Sequence, residues 1–433
     1  MNSSLISEFT SSFNNVRYET TTGYAETHSA KGLVVTPTSI DECRKLLELC
    51  KKKNVKICCR GSGLTYGDMI LNTNQIIVDV RQLNKILDWD YESGLILVQS
   101  GTTFAAVLKK SLLNNWILCS CPGGMDVTIG GAISNNVHGK DAWKNGNFGN
   151  HVKSMKLLLA SGDIIQVQDR DSSLFRAVVG GMGLLGIILE ATLQLKKIPS
   201  PFVITRIDLS ENIEESIDIL NLRKNDSDFS VAWVDSFPQG TSLGRGYISS
   251  AKWEDRGKTT SKRDLEESLT KPTRLFRVLP AKPFWYMSRP FFRPSVLQLL
   301  NKIHFAFSKF AHNQSSNNSK RLLFTDYNFM HNKIPDIREV YRPHGFLEFE
   351  PLLPLAQAKK SIRELLEVCQ RNKTQSLLCA MKAHKEDDFL VSYEGQGFSV
   401  GIDIQMAGRN INDITTFSKK VYDFTIEKKG KIH

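Results

Sequence analysis

Pro122-Gly123-Gly124-Met125-Asp126-Val127-Thr128-Ile129-Gly130-Gly131-Ala132-Ile133-Ser134-Asn135-Asn136-Val137-His138-Gly139-Lys140 places five glycines in nineteen residues. Glycine contributes nothing to a core, but it lets backbone approach a large flat or anionic ligand without Cβ collisions. Thr128, Ser134, Asn135 and Asn136 add short hydrogen-bonding groups, and His138 and Lys140 add a titratable ring and a cation. A second glycine loop lies upstream, Arg60-Gly61-Ser62-Gly63-Leu64-Thr65-Tyr66-Gly67-Asp68, and a third downstream, Gly180-Gly181-Met182-Gly183-Leu184-Leu185-Gly186. Three such loops in the first half of the chain predict one extended ligand cradled by backbone.

The 433 residues are long for one core and predict two domains, 1–197 and 198–433, with Pro199-Ser200-Pro201 as punctuation. The net charge of +11 favours anionic partners or describes a Lys-rich solvated surface. Eight scattered cysteines without a C-x-x-C pair read as buried thiols of a reducing compartment, with no metal site. The polar N-terminus lacks a signal pattern, and no apolar run is long enough to span a membrane. A cytoplasmic protein is the expectation.

Ser39 and Glu42 form a capping box before a helix with Cys43, Leu46, Leu47 and Cys50 on one face. Strands are expected at 55–59, 75–80, 95–98, 155–160, 164–167 and 187–195, and helices at 104–116 and 173–179. In the second half, 254–274 reads as a charged mobile loop and 314–319 as a Ser/Asn-rich one. Residues 346–352 read as one strand with Phe346, Glu348 and Glu350 on one face. Strands at 377–383 and 398–404 and helices at 355–370 and 411–428 complete an antiparallel sheet with helices on one side. Residues 274–310 interleave Arg274, Arg277, Lys282, Arg289 and Arg293 with Phe276, Phe284, Trp285, Tyr286, Phe291 and Phe292. That segment either lies on an anionic lipid surface or has its aromatics in the core and its cations outside.

Gly181-Met182-Gly183-Leu184-Leu185-Gly186 matches G-x-G-x-x-G, but an expected helix precedes it and a strand follows. That is the reverse of a Rossmann fingerprint, so the loop is read as a turn where backbone meets a ligand. No nucleic-acid motif is present.

From Val55 to Leu195 the ordered loops, with Phe148-Gly149-Asn150-His151-Val152, resemble the vanillyl-alcohol oxidase type (PCMH-type) of FAD-binding domain, within it the decaprenylphosphoryl-ribose oxidase group. The resemblance implies an α+β fold: a two-subdomain FAD-binding domain, then a substrate domain with an antiparallel sheet and flanking helices. It implies backbone contacts to FAD pyrophosphate from Gly61, Ser62, Gly63, Leu64, Thr65 and Tyr66. It implies further FAD contacts from Gly123, Thr128, Gly131, Ser134, Asn135, His138, Gly139 and Ile187. Leu64 stands where covalent members carry His, so FAD is expected to be non-covalent.

The implied reaction is oxidation of a secondary sugar hydroxyl to a ketone by hydride transfer to flavin N5. The substrate would be a polyprenyl-phosphate-linked pentose, in cell-envelope polysaccharide synthesis. A short-chain reductase would complete the epimerisation, and residues 274–310 would give peripheral contact with the inner membrane. His138, Tyr66, Lys382, Glu348 and Glu350 are the candidates near the reacting hydroxyl. Glu348 and Glu350 stand where the family has glutamines, and Ser399 and Gly401 where it has Asn and Cys. Family members continue past the Gly430-Lys431-Ile432-His433 element into a Lys-Asp pair, so a fragment or an inactive flavin-binding homologue stays an alternative. A soluble aldonolactone or alditol oxidase using oxygen is the other.

Overall fold

The computed structural model describes residues 1–255, 260–275, 278–314, 319–376, 379–393 and 395–432. Expectations for Phe276, Arg277, Leu377, Leu378, the 315–318 run and His433 lie outside the described residues.

The chain divides into two units. The first comprises Met1–His138, Asn147–Ile198 and Asp388–Ser392, and the second Gly139–Gly146, Pro199–Asp387 and Tyr393–His433. The change at 198 falls on the Pro-Ser-Pro punctuation, but a single boundary misses two exchanged segments. Residues 139–146 belong to the second unit and 388–392 to the first. The return segment is held by Leu390 N–H donating to Arg176 O and by Arg176 Nε donating to Asp388 O.

The first unit holds two sheets. The four-stranded one runs Val16–Thr22, Ser29–Val35, Ile76–Asp79, Ile57–Arg60, antiparallel at the first pair and parallel after it. The five-stranded antiparallel one runs Ile86–Trp89, Leu95–Gln99, Ile187–Gln194, Val152–Leu158, Ile164–Val167. Helix Ile40–Lys52 lays Cys43, Leu46, Leu47 and Cys50 onto the first sheet, in a cluster that also takes Leu158, Ile187 and Leu189 from the second. Ser39 Oγ caps it, accepting from Glu42 N–H at 3.2 Å, while the Glu42 carboxylate takes the N–H of Thr38, one residue before the Ser39 cap. The helix expected at 104–116 ends at Ser111. A 3-10 turn and Asn115 in the left-handed region (φ 57°) divert the chain into the strand Trp116–Ile117.

The second unit is built on an eight-stranded antiparallel sheet. Its order is Lys320–Leu323, Phe202–Ser210, Gly246–Trp253, Phe229–Val234, Cys379–His384, Gly397–Val400, Pro351–Pro354, Lys431–Ile432. Helix Ala358–Arg371 buries Ile362, Leu365, Leu366 and Cys369 against Ala232, Val234 and Ile248, joined by helices Ile213–Arg223 and Ile411–Glu427. Each fully buried leucine contributes about 1.5–3 kcal/mol.

Three expectations are corrected here. Helices cover both faces of the sheet. Trp233 and Tyr247 point away from the core and stack on each other at 5.4 Å, and His304 of helix Pro294–Gln314 meets them at 5.7 and 6.0 Å. The expected strand 346–352 is two strands. Phe346–Phe349 pairs with Ile402–Gln405 in a separate ribbon, and Pro351–Pro354 enters the large sheet, so the alternation breaks at Glu350. The charged 254–274 loop contains helix Lys262–Ser268, capped by Ser261 and anchored by the buried Leu265.

Helix Pro294–Gln314 is seated by Asn301, whose amide donates to the buried Asp235 carboxylate at 3.0 Å. Asn301→Ala should cost about 1–3 kcal/mol in denaturant unfolding. The neighbouring exposed Lys302→Ala should stay within about 0.5 kcal/mol.

Candidate functional site: an FAD cleft and a carboxylate cluster

In the first unit the three glycine loops converge. Strand Ile57–Arg60 delivers Cys59, Arg60 and Gly61 to the edge of a cleft, and the short helix Ile129–Ser134 brings Gly130, Gly131, Ser134 and Asn135. The third loop adds Met182, Gly183 and Gly186, and Ile187 and Ile188 open the following strand. A helix, Ser173–Val178, precedes that loop, so it is a turn and not a dinucleotide fingerprint. The cleft encloses about 510 Å³ of free space, part of it open to solvent.

Local chemistry fixes these pieces. Thr128 Oγ1 caps the short helix by accepting from Gly131 N–H at 3.3 Å. Gly130 N–H donates to Ser100 O at 2.7 Å, and Met182 N–H to Ser134 O at 2.8 Å, tying the turn before and the loop after to the same helix. A Cβ on Gly61 would run into the Thr128 side chain. One on Gly63, which sits at φ 69°, would lie 2.7 Å from the Arg60 guanidinium. Two buried donors at the wall, Arg60 Nε and Ser100 Oγ, have no hydrogen-bond partner. A glycine-lined cradle with unsatisfied buried donors fits a large anionic cofactor such as FAD.

Of the residues expected to touch FAD, Gly61, Gly131, Ser134, Asn135 and Ile187 line this cleft. Thr128 stands behind Gly61 as the helix cap, and Tyr66 packs on Tyr24 at 5.3 Å. Ser62, Gly63, Leu64, Thr65, Gly123 and His138 belong to the same unit outside the lining, and Gly139 falls in the second unit. Sequence reading missed Ser100, Met69, Ile70 and the role of Arg60. The Ser100-Gly101 pair directly after strand Leu95–Gln99 was the available signal.

The second unit gathers a separate polar cluster. Lys382 and Ser399 are partners across strands Cys379–His384 and Gly397–Val400. Ser399 Oγ donates to Glu350 Oε1 at 2.8 Å and lies 2.7 Å from His384 Nε2, and Lys382 Nζ is 3.3 Å from Glu350 Oε1. Glu348 and Asp403 face each other in the ribbon, and a Cβ on Gly401 would sit 3.4 Å from Glu348 Oε1. Burial first, then the Glu350 charge, pushes the Glu348 carboxyl up to about 7, against the pull of Lys382. Asp403 is raised for the same reasons, burial and then Glu348 and Glu350. Lys140 donates to Tyr327 O at 2.6 Å, and burial, then the Lys382 charge, lowers it to about 7. The cluster thus takes in Lys382, Glu348 and Glu350, and adds Asp403, Ser399 and His384. The Asp403 carboxylate was legible only through the ribbon pairing that the single-strand reading excluded.

Residues 32–168 match the FAD binding domain family. The chain carries an FAD binding domain. Decaprenylphosphoryl-beta-D-ribose oxidase of Mycolicibacterium smegmatis is 27% identical over 386 residues, 85% of this chain and 78% of that protein. D-lactate dehydrogenase of Anaerostipes hadrus is 29% identical over 43% of this chain and 40% of its own length. L-gulonolactone oxidase of Bos taurus is 29% identical over 36% of both. With that domain and these relatives, the chain is an FAD-dependent oxidoreductase.

Gly61→Ala forces a methyl into Thr128. It should weaken FAD at least about tenfold, read as loss of flavin absorbance and poor reconstitution by titrated FAD. In the second unit, the raised Glu348 means that the folded state holds a proton the unfolded chain releases near 4.5. Stability should therefore fall as pH rises from about 4.5 through about 7. Glu348→Gln should flatten that slope, with Asp403 keeping its own share, and be about 1–2 kcal/mol more stable than wild type at pH 8, with no gain near pH 4, by denaturant unfolding.

Proposed function

We propose that this protein oxidises a secondary hydroxyl of a sugar to a ketone, on a polyprenyl-phosphate-linked pentose. The extent of likeness carries this reading. A match over 85% of the chain must include most of the second unit, whereas the D-lactate dehydrogenase and L-gulonolactone oxidase matches cover 43% and 36% of the chain. The second unit is where the chain places Lys382, Glu348, Glu350, Ser399 and His384. FAD, when bound, supplies the two-electron acceptor for the carbinol hydride.

The chain's own residues support the remaining work. The Glu350–Ser399–His384 hydrogen-bonded series and Lys382 offer fixed donors and acceptors to vicinal hydroxyls. Such fixed groups reject analogues that lack a hydroxyl. Glu348, raised to about 7, is poised to take a hydroxyl proton near neutral pH. Leu64 offers no nucleophile, so FAD is held without a bond at that position. The ketone product calls for a separate reductase if the alcohol is to be returned with inverted configuration.

Anaerobic flavin bleaching by a polyprenyl-phosphoryl pentose, and not by L-gulonolactone or D-lactate, is the expected result. Bleaching by lactone or lactate alone overturns the reading. The bleaching rate should rise with pH through about 7 in the wild type. In Glu348→Gln it should be flat and about 10²-fold or more lower, and acid precipitation should leave FAD in the supernatant.

A further inference from the structure

Strands Cys379–His384 and Gly397–Val400 are antiparallel neighbours that end on the pair His384 and Gly397. A turn of about two to five residues is the usual join for such a pair. The chain uses twelve, 385–396, and gives the middle five, Asp388–Ser392, to the first unit. The detour arrives at the end of helix Ser173–Val178, which leads into the third glycine loop. Leu390 N–H donates to Arg176 O at 3.0 Å, and Arg176 Nε donates to Asp388 O at 2.6 Å. Phe389 is buried, and the Arg170 guanidinium, itself donating to Asn150 O at 2.7 Å, lies 5.9 Å from its ring centroid. Leu390 and Val391 are 56% and 51% exposed, so burial holds the segment chiefly through Phe389.

Two glycines that do not line the FAD cleft make room for these five residues. A Cβ on Gly149 would lie 2.8 Å from Phe389 Cζ, as well as against Val179 and Asn136. A Cβ on Gly180, which sits at φ 77°, would lie 2.5 Å from Val391 O. In the third loop, then, Gly183 and Gly186 serve the cleft, and Gly180 serves the segment. Asn136 ties the two glycines together: its Oδ1 accepts from Gly149 N–H at 3.0 Å, and its Cβ is the next neighbour of a Cβ on Gly180. Asn136 directly follows Ser134 and Asn135, which line the cleft.

We propose that Asp388–Ser392 is a clip that keeps the third glycine loop closed on FAD, with Phe389 a positioning residue for the cofactor. Val391 O meets the loop at its first residue, Gly180, and the cleft residues Met182, Gly183 and Gly186 follow within six positions. A segment held mainly by one ring opens at a lower free energy than the sheets beneath it, and a cofactor that binds only the closed form shifts it closed. FAD exchange therefore goes through the opened clip. Three residues link the clip to His384 and four link it to Gly397, so the strands that carry Lys382 and Ser399 are tethered by chain to the FAD loop. The inference rests on the FAD binding domain and does not depend on the substrate.

The test uses the full protein, FAD-free and FAD-bound. In hydrogen exchange, peptides covering 386–393 should exchange at least about tenfold more slowly with FAD bound, while helix Ala358–Arg371 should exchange alike in both forms. FAD release, followed by flavin fluorescence after dilution, should be at least about tenfold faster in Phe389→Ala and at least about threefold faster in Arg176→Ala, with Phe389→Leu within about twofold of wild type. The FAD-free Arg176→Ala protein should unfold at the wild-type denaturant concentration. Equal exchange of 386–393 with and without FAD overturns the proposal, and so does wild-type FAD release by Arg176→Ala. If Phe389→Ala does not fold, those two measurements decide. Unchanged FAD release by a folded Phe389→Ala protein of lowered stability assigns the segment to folding alone and overturns the proposal too.

Discussion

The FAD cleft depends on close backbone contact around one short helix. Ile129–Ser134 sits where Gly130 meets Ser100 and where Gly61 meets Thr128. Any Cβ on Gly130 would lie 2.9 Å from the Ser100 Cβ, so the helix would have to back away from the turn that receives it. The same helix carries the third glycine loop on its C-terminal end, through Gly180 N–H to Ile133 O and Met182 N–H to Ser134 O. Three loops become one cradle because the first packs on Thr128, the cap of the helix that the second contains, and the third is hydrogen-bonded to Ile133 and Ser134 at its end. The cost is two buried donors, Arg60 Nε and Ser100 Oγ, left without protein partners. A cofactor with phosphate and ring acceptors is the group that would offset it.

The second unit solves a different problem. Three carboxylates, Glu348, Glu350 and Asp403, lie close enough to raise one another; Lys382 pulls Glu348 the other way and is in contact with Glu350 at 3.3 Å. Glu350 also accepts from Ser399 Oγ at 2.8 Å. Glu348 and Asp403 rise, through burial first and the neighbouring carboxylates second. The division of labour follows from the strand break. Because the chain leaves the ribbon at Phe349 and enters the large sheet at Pro351, Glu348 faces Asp403 while Glu350 faces the Ser399–Lys382 pair.

The glycine loops were legible because their composition has no structural purpose other than close approach, and the Ser39 helix because its cap and its apolar stripe agree. The FAD binding domain followed from those. Other features had no local signal. Helix Ser3–Ser12 is polar in sequence and is held through the single fully buried Phe9. The return of 388–392 to the first unit includes two bonds to Arg176, from Leu390 N–H to its carbonyl and from its guanidinium to Asp388 O, that no periodicity announces. Periodicity read Phe346–Leu352 as one strand because the residue types on either side of Glu350 carry no mark of the change of sheet. Helix Pro294–Gln314 was ambiguous for a related reason: with apolar residues on both faces, periodicity cannot say which is inside.

That ambiguity is itself physical. A helix seated by one polar pair, Asn301 with Asp235, and by aromatic edges at His304 and Phe305 gains less from its buried face than Ala358–Arg371 gains from its aliphatic stripe. Its outward side carries residues as large and as apolar as those inside. Folding alone gives no reason for five large apolar side chains on that side, since water contact with them contributes nothing to the native state. The absence of acids over the same stretch points the same way. Acidic partners at i+4 would have stabilised an exposed helix and lowered its net charge, yet the sequence has none from Ser268 to Thr325. Apolar exposure and uncompensated positive charge coincide on one element.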